Sequence, residues 1–460
     1  MLPTTFIIFG ITGDLAGKKV LPAILNLYVN KQLPSKFAIV GFSRRHFDRE
    51  EFRELIRDHM EIKMGQYREE DVKHFIDHIY YEQGFFDKPE SYKNLALRLK
   101  KIDDGFNSCS NKLFHLSIPP TLNEGILENL SVSGLTIPCG GNGGWTRVLI
   151  EKPFGYDIET AKKLDKKLGQ LFNESQIFRI DHYLAKEALQ NILAFRFSNS
   201  LFEPLWNRNH IEKVHIKLFE KNGVDNRGST YDHIGALRDV GQNHLLQMLS
   251  LVTMERPKNF NSNSLRKERA RVFQVLKLNN KKTVMNNVVR AQYEGYKNEF
   301  GVRQHTHTET YFRLQTYIDN LRWKNVPFYL ESGKALAESK TEIDIYFKNI
   351  NKDNEENGQN VLTFRIQPDE GIKIRFLVKS PGFGMNVEPK NLKFKYADSK
   401  SFLVIPDAYE RVLHDAIIGD QTLFASTDEV IYSWKYITSI ISNWSSVPLG
   451  IYKRGSVDVI

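Results

Sequence analysis

The chain changes its hydrophobic rhythm partway along. Up to about residue 180, apolar residues come in short continuous runs: Thr5-Phe6-Ile7-Ile8-Phe9, Phe37-Ala38-Ile39-Val40-Gly41, Leu113-Phe114-His115-Leu116 and Arg147-Val148-Leu149-Ile150. Runs of this length, bounded by turn residues, predict strands buried on both faces, as a parallel sheet requires. Between them, interleaved acids and bases over Asp48 to His59, Arg68 to Ile79 and Pro89 to Lys101 predict helices. Gly140-Gly141-Asn142-Gly143-Gly144 reads as a flexible loop. Strands alternating with helices make this half α/β.

After residue 181 the period falls to two. Val214-His215-Ile216-Lys217-Leu218, Ile343-Asp344-Ile345-Tyr346-Phe347 and Leu362-Thr363-Phe364-Arg365-Ile366 alternate apolar with polar. Ile372-Lys373-Ile374-Arg375-Phe376 and Leu392-Lys393-Phe394-Lys395-Tyr396 do the same. Such alternation predicts a large, mainly antiparallel sheet with one buried and one polar face, the latter a candidate dimerisation surface. Asn351 to Asn360, rich in Asn, Asp, Glu and Gly, reads as an exposed hairpin loop. A helical tract spans Tyr231 to Met254, and a charged helix lies near 264–278.

With 460 residues, two domains are expected: a Rossmann-like nucleotide platform over 1–180 and an α+β unit over 181–460 for substrate and dimerisation. The excess of 64 Lys+Arg over 55 Asp+Glu is scattered rather than clustered, which argues against nucleic-acid binding. It is compatible with steering a polyanionic substrate into a cleft. Two cysteines, Cys109 and Cys139, argue for a reducing compartment, for no disulfide framework, and for two unremarkable small side chains. Without a signal core or a membrane-length apolar segment, a cytoplasmic location is expected.

The first strand runs into Gly10-Ile11-Thr12-Gly13-Asp14-Leu15-Ala16 and then a helical pattern through Leu21, Leu25 and Leu27. Strand, glycine turn and helix is the order in which a helix N-terminus meets a pyrophosphate, although a tight turn without ligand has the same outline. A P-loop fits poorly, since Thr12 and Lys19 stand where its first glycine and its Ser/Thr would be. The next strand ends in Arg44-Arg45 rather than the acid that takes a ribose hydroxyl. Unless both arginines are plain surface residues, that favours the 2′-phosphate of NADP over NAD. Glu151-Lys152-Pro153 follows a later strand, where ligands bind in doubly wound sheets, and its Lys-Pro bond is a candidate cis peptide.

The densest chemistry is Arg179-Ile180-Asp181-His182-Tyr183-Leu184-Ala185-Lys186-Glu187. If a helix begins near 182, His182 and Lys186 share a face, with Tyr183 beside them, and suit an anionic phosphate. Asp181 would repel a phosphate; it is either a helix N-cap or the partner of a histidine from elsewhere. Asp239 and His244, about one and a half α-helical turns apart, would not face each other but could border one cleft. A lone helical histidine is also commonly structural.

In order, Gly10-x-x-Gly13-Asp14-Leu15-Ala16, Ile150-Glu151-Lys152-Pro153-Phe154-Gly155, Arg179-Ile180-Asp181-His182-Tyr183-Leu184, Gln242-Asn243-His244, Val326-Pro327-Phe328-Tyr329 with Ser332-Gly333-Lys334, and Tyr409-Glu410-Arg411 with His414-Asp415 resemble the glucose-6-phosphate dehydrogenase family. The resemblance runs to about Tyr436. It implies oxidation of D-glucose 6-phosphate at C1 to 6-phospho-D-glucono-1,5-lactone, with hydride transfer to NADP, the first step of the oxidative pentose phosphate pathway. It implies His244 as base and Asp181 as its orienting carboxylate, a 6-phosphate grip of His182, Tyr183 and Lys186, and sugar contacts from Lys152, Glu220, Asp239 and Lys334. NADP would be held by Gly10, Gly13, Asp14, Leu15, Lys19 and Arg44, with Lys152 near the nicotinamide; no metal is implied, and a homodimer or homotetramer is. The chain departs from the family at Ala185, where glycine is usual, and at Ser339, where a basic residue is usual and Lys340 is adjacent. Its C-terminal Gly455-Ser456 is a shortened motif, which leaves a second, structural NADP site without its usual signature. The competing readings are a related Rossmann-type oxidoreductase of a different sugar and a catalytically silent NADP-binding protein.

Overall fold

A computed structural model describes residues 2–61, 66–139, 144–349, 359–398 and 405–459. Most of the glycine loop at 140–144 and of the expected hairpin loop at 351–360 lies outside the described residues. The first sheet contains β1 (Thr4–Phe9), β2 (Phe37–Ser43), β3 (Ile79–Gln83), β4 (Asn111–Leu116), β5 (Thr146–Ile150) and β6 (Ile177–Ile180). These six pair in parallel, and β1, β2 and β4 are buried along their whole length, as their unbroken apolar runs require. β1 lies between β2 and β4, with Thr4 opposite both Phe37 and Asn111. The strand order therefore reverses at β1, which opens a crevice at the carboxyl ends of β1 and β4.

The helix read as Arg68 to Ile79 ends at Asp77, and the chain continues directly into β3. Ile79-Tyr80-Tyr81 suits a pleated surface better than a helix, so aromatic and β-branched preference wins once β2 offers an open edge.

Among the described residues the second sheet has nine strands, in the order β14-β13-β12-β11-β7-β10-β9-β8-β16. They are β7 (Ile211–Phe219), β8 (Val288–Tyr293), β9 (Tyr311–Thr316), β10 (Phe328–Gly333), β11 (Lys340–Phe347), β12 (Val361–Gln367), β13 (Gly371–Lys379), β14 (Val387–Lys395) and β16 (Leu449–Tyr452). Most pairings are antiparallel; β7 with β10 and β8 with β16 are parallel. The simple picture of one buried and one polar face holds only in part. At the centre the polar side is covered as well, and its charges are paired: Lys217 with Asp344 at 2.9 Å and Arg365 with Glu342 at 3.0 Å. The edge strand β14 is exposed over nearly its whole length.

The two sheets share material. β15 (Phe424–Ala425), late in the chain, pairs antiparallel with β6 and extends the first sheet. The helices Ala408–Ile418 and Thr427–Ile441 pack on Leu21–Val29 and Ile158–Leu171 of the first half. Buried charges tie this junction: Arg269 donates from Nε to Glu429 (2.8 Å), and Arg179 bonds Asp165 (2.7 Å) and Glu174 (3.0 Å). Glu429 also accepts from Ser426 in the capping box that starts Thr427–Ile441.

The cysteines are not independent side chains. Cys109 and Cys139 lie against each other with Cα atoms 6.2 Å apart, a separation a disulfide spans, so the expectation of two unremarkable side chains is corrected to an adjacent pair. They meet because Cys109 precedes β4, Cys139 lies on the approach to β5, and β4 and β5 run side by side in parallel from the same end of the sheet. Nothing in their sequence separation foretells that adjacency.

Replacing Arg269 with alanine would strand the fully buried Glu429 carboxylate. The expected cost is about 3–5 kcal/mol, the usual penalty for breaking a buried pair. It is read as an earlier urea-induced unfolding transition than that of the parent protein.

Candidate active site

The crevice and the second sheet converge on one cluster of side chains. Asp181 follows β6 and is 2% exposed. His244, equally buried, comes from the helix Leu237–Leu245 and brings Nδ1 to 2.6 Å from Asp181 Oδ1. An ionised carboxylate only accepts, so Nδ1 carries the hydrogen and Nε2 keeps its lone pair. Asp181 therefore acts on a histidine from elsewhere in the chain; its Oδ1 also accepts the Tyr183 N–H at 3.1 Å.

Residues 181–186 do not form the expected helix. They make successive tight turns, with Leu184 N–H bonded to Asp181 O (3.0 Å) and Lys186 N–H to Tyr183 O (3.0 Å), and the helix begins only at Glu187. The Asp181 carboxylate, by accepting the Tyr183 N–H, favours a turn over a helix start here. His182, Tyr183 and Lys186 still gather. The His182 and Tyr183 rings lie 4.8 and 4.2 Å from that of His244, and Lys186 Nζ is 5.1 Å from the Tyr183 ring centre. Ala185 is accommodated because the turn does not demand positive φ there.

Asp239 and His244 are not separated as an α-helix would separate them. The stretch Leu237–Leu245 is a π-helix, not an α-helix. Its i→i+5 bonding brings residues five apart nearly into register, so both side chains turn toward the same cleft. Lys152, at the cis Lys152–Pro153 bond after β5, donates to the Asp239 backbone oxygen (2.8 Å) and carboxylate (3.3 Å). Lys334 and Glu220 follow β10 and β7, which are parallel neighbours, so both side chains leave from one sheet edge. They bond each other, and Lys334 Nζ lies 3.9 Å from Asp239.

Sequence reading missed a connector. Gln367, at the end of β12, accepts from Lys186 (2.7 Å) and donates to the Tyr183 hydroxyl (3.3 Å). No local signal marks it; only the fold brings β12 to this site. Tyr409 stacks on His182 at 6.2 Å and donates to Glu151 (3.2 Å), so the Glu-Lys-Pro segment supports the cluster from behind. Ser339 accepts a backbone N–H from Lys221 (2.8 Å), while Lys340 is engaged by Glu338 (2.6 Å) and Glu342 (3.5 Å).

Burial dominates the electrostatics. It lowers the His244 pKa below 6.5 even against Asp181, so the imidazole is neutral at pH 7. It also pushes His182 down to about 3, with His244 adding to the effect. Burial lowers Lys186 and raises Tyr183 to about 12. For Asp239 burial acts to raise the pKa, but Lys152 and Lys334 outweigh it and hold the carboxyl at about 2.

At the crevice, Gly10 has φ +76°, and a Cβ there would lie 2.4 Å from Ser117 O beyond β4. Only glycine allows this turn to close against the neighbouring strand. Gly13 donates to Gly10 O (2.9 Å), and Leu15, half-buried, leads into the helical turn Ala16–Val20. Asp14 and Lys19 are exposed, and Lys19 is close enough to Lys186 to lower its pKa. Arg44 and Arg45 are exposed just past β2, with no ion pair among the described residues. The donor set fits a dinucleotide with an extra phosphate: a glycine turn for the pyrophosphate and unpaired arginines where the second ribose falls.

A nucleotide crevice opening onto a neutral, carboxylate-backed imidazole belongs to a dinucleotide-dependent oxidoreductase. Residues 7–191 match the family described as "Glucose-6-phosphate dehydrogenase, NAD binding domain", and residues 193–459 match its C-terminal domain. The chain belongs to the glucose-6-phosphate dehydrogenase family. It is 42% identical over 448 residues to the glucose-6-phosphate 1-dehydrogenase of Aggregatibacter actinomycetemcomitans, covering 95% of this chain and 90% of that one. A solved glucose-6-phosphate dehydrogenase in complex with its substrate glucose-6-phosphate superposes with a TM-score of 0.91 at 32% identity, over 99% of this chain and 95% of that one. A 3-ketoreductase from Actinomadura kijaniata, at 11% identity and a TM-score of 0.51, shares the fold alone. The activity is oxidation of glucose 6-phosphate with NADP, and a different-sugar oxidoreductase is not favoured.

Proposed function

We propose that His244 is the base of this oxidation and Asp181 its orienting partner; the 2.6 Å Nδ1–Oδ1 bond is the observation that carries the reading. With Nδ1–H held by the carboxylate, Nε2 takes the C1 hydroxyl proton, and the buried charge of Asp181 stabilises the imidazolium that forms. His182, Tyr183 and Lys186 grip the 6-phosphate. Lys152, Glu220, Asp239 and Lys334 bind the sugar hydroxyls, and Gln367 sets the spacing of Lys186 and Tyr183. Held at both ends, the hexose keeps C1 fixed beside the base, so much of the catalysis is orientation.

NADP fits Gly10, Gly13, Asp14, Leu15, Lys19 and Arg44, with Lys152 near the nicotinamide; when bound, it supplies the hydride acceptor. The chain divides in function at about residue 180, with cofactor binding before it and substrate binding after it. The protein works in the cytoplasm as a homodimer or homotetramer. The exposed edge supports association: Leu392 is 61% exposed and Phe394 41%, beside Phe383 and Met385 in the preceding turn. Sedimentation at micromolar concentration is expected to show a dimer or larger; monomer alone would remove this surface from consideration.

His244→Asn is expected to lower kcat by roughly 10²–10⁴-fold while glucose 6-phosphate still binds, and Lys186→Ala chiefly to raise KM. Both are read from NADPH absorbance with NADP and NAD in turn, where NADP should be preferred. Near-normal turnover in His244→Asn would refute the assignment of the base.

The pH profile provides a separate check. His244 works deprotonated and burial lowers its pKa, so the acid limb of kcat/KM should have its midpoint below that of a free imidazole, 6.5. Asp181→Asn removes the main influence that raises this pKa, so the acid limb should move lower still as kcat drops.

A further inference from the structure

Behind the π-helix Leu237–Leu245 lies a second cavity, of about 930 Å³, separate from the cluster around His244. Arg238 and Asp239 are adjacent in sequence yet face different spaces. Asp239 turns to Lys152 and Lys334, whereas Arg238 lines the second cavity and donates to the backbone oxygen of Tyr156 (3.2 Å).

The cavity wall carries more positive charge than the protein neutralises. Arg290 is 7% exposed; its guanidinium donates to the backbone oxygens of Val447 (3.0 Å) and His307 (3.4 Å), and no carboxylate pairs with it among the described residues. Arg238 likewise bonds only carbonyl oxygens, those of Tyr156 and Ile234. Arg303 is satisfied by Asp232 at 2.6 Å. The acid in the wall, Glu309, is committed elsewhere: it accepts from Leu237 N–H (3.0 Å) and Trp444 Nε1–H (3.1 Å), and burial raises its pKa toward the neutral form. Glu309 acts on both Arg290 and Arg238 through space but forms an ion pair with neither, and one carboxylate facing two guanidiniums leaves a positive wall that an anionic ligand would complement.

The size and the remaining walls narrow the ligand. The volume is at the upper end of small-molecule sites. Half-buried Trp444 lies under the Arg290 guanidinium, 5.4 Å from it, and exposed His305 and His307 offer further donors at the mouth. We propose that this cavity is a second anion site for a phosphate-bearing ligand of nucleotide size, and that its occupancy acts on the helix carrying Asp239 and His244. The link is direct. Glu309 holds the first turn of that helix through both its carboxylate, on Leu237 N–H, and its backbone oxygen, on Ala236 N–H (3.1 Å).

The test uses the full chain with NADPH and glucose 6-phosphate present, so that the catalytic cleft is already filled. Calorimetric titration with ADP and with inorganic pyrophosphate should show one site per chain, weakened about tenfold or more by Arg290→Gln and by Arg238→Gln. If Arg290→Gln does not fold, Arg238→Gln decides alone. Pyrophosphate should also change kcat at saturating NADP and glucose 6-phosphate in the parent, and not in the variants. Absence of binding with the cleft filled, or undiminished binding in the variants, overturns the site. Tight binding with unchanged kcat overturns its coupling to the helix.

Discussion

A carboxylate almost wholly removed from water survives only beside a lasting partner, and here the partner of Asp181 is an imidazole from a distant helix. That requirement organises the molecule. Asp181 is delivered by the last parallel strand of the nucleotide sheet, and His244 by the helix that packs against the second sheet. The pair can form only when both layers are in place. Assembly of the fold and assembly of the reactive centre are thus one event.

The surroundings use opposed electrostatic devices a few ångströms apart. Around His244 and His182 the protein withdraws water, and the rings stay uncharged. Around Asp239 it supplies two ammonium groups, and the half-buried carboxyl stays ionised. Neutral imidazoles and fixed carboxylates therefore coexist at one pH, which lets proton acceptance and hydroxyl binding be divided between neighbouring side chains.

Much of this was legible in the amino-acid order. Continuous apolar runs marked β1, β2, β4 and β5, which are buried on both faces, and period-two alternation marked β7 and β11 to β14 as strands, although β11 is covered on both faces and β14 on almost neither. The residues of the central cluster were marked by chemical type. What escaped was whatever tertiary packing decides. β3 became a strand because β2 had an edge to fill; Gln367 reached the site through sheet order; Cys109 met Cys139 through parallel adjacency. The π-helix is the sharpest case. Its composition suits an α-helix, and only its packing brings Asp239 and His244 onto one side.

β15 has a consequence for synthesis on the ribosome. Until Phe424 and Ala425 emerge, β6 is the last strand of a growing sheet, and its outer backbone groups have no strand to bond. An unpaired edge of this kind can recruit a neighbouring nascent chain. The strand that covers it arrives some 240 residues after β6, when the second sheet has been translated nearly to its end. A prematurely terminated chain would keep its glycine turn and yet present a bare edge to the cell, a ready target for chaperones and proteases.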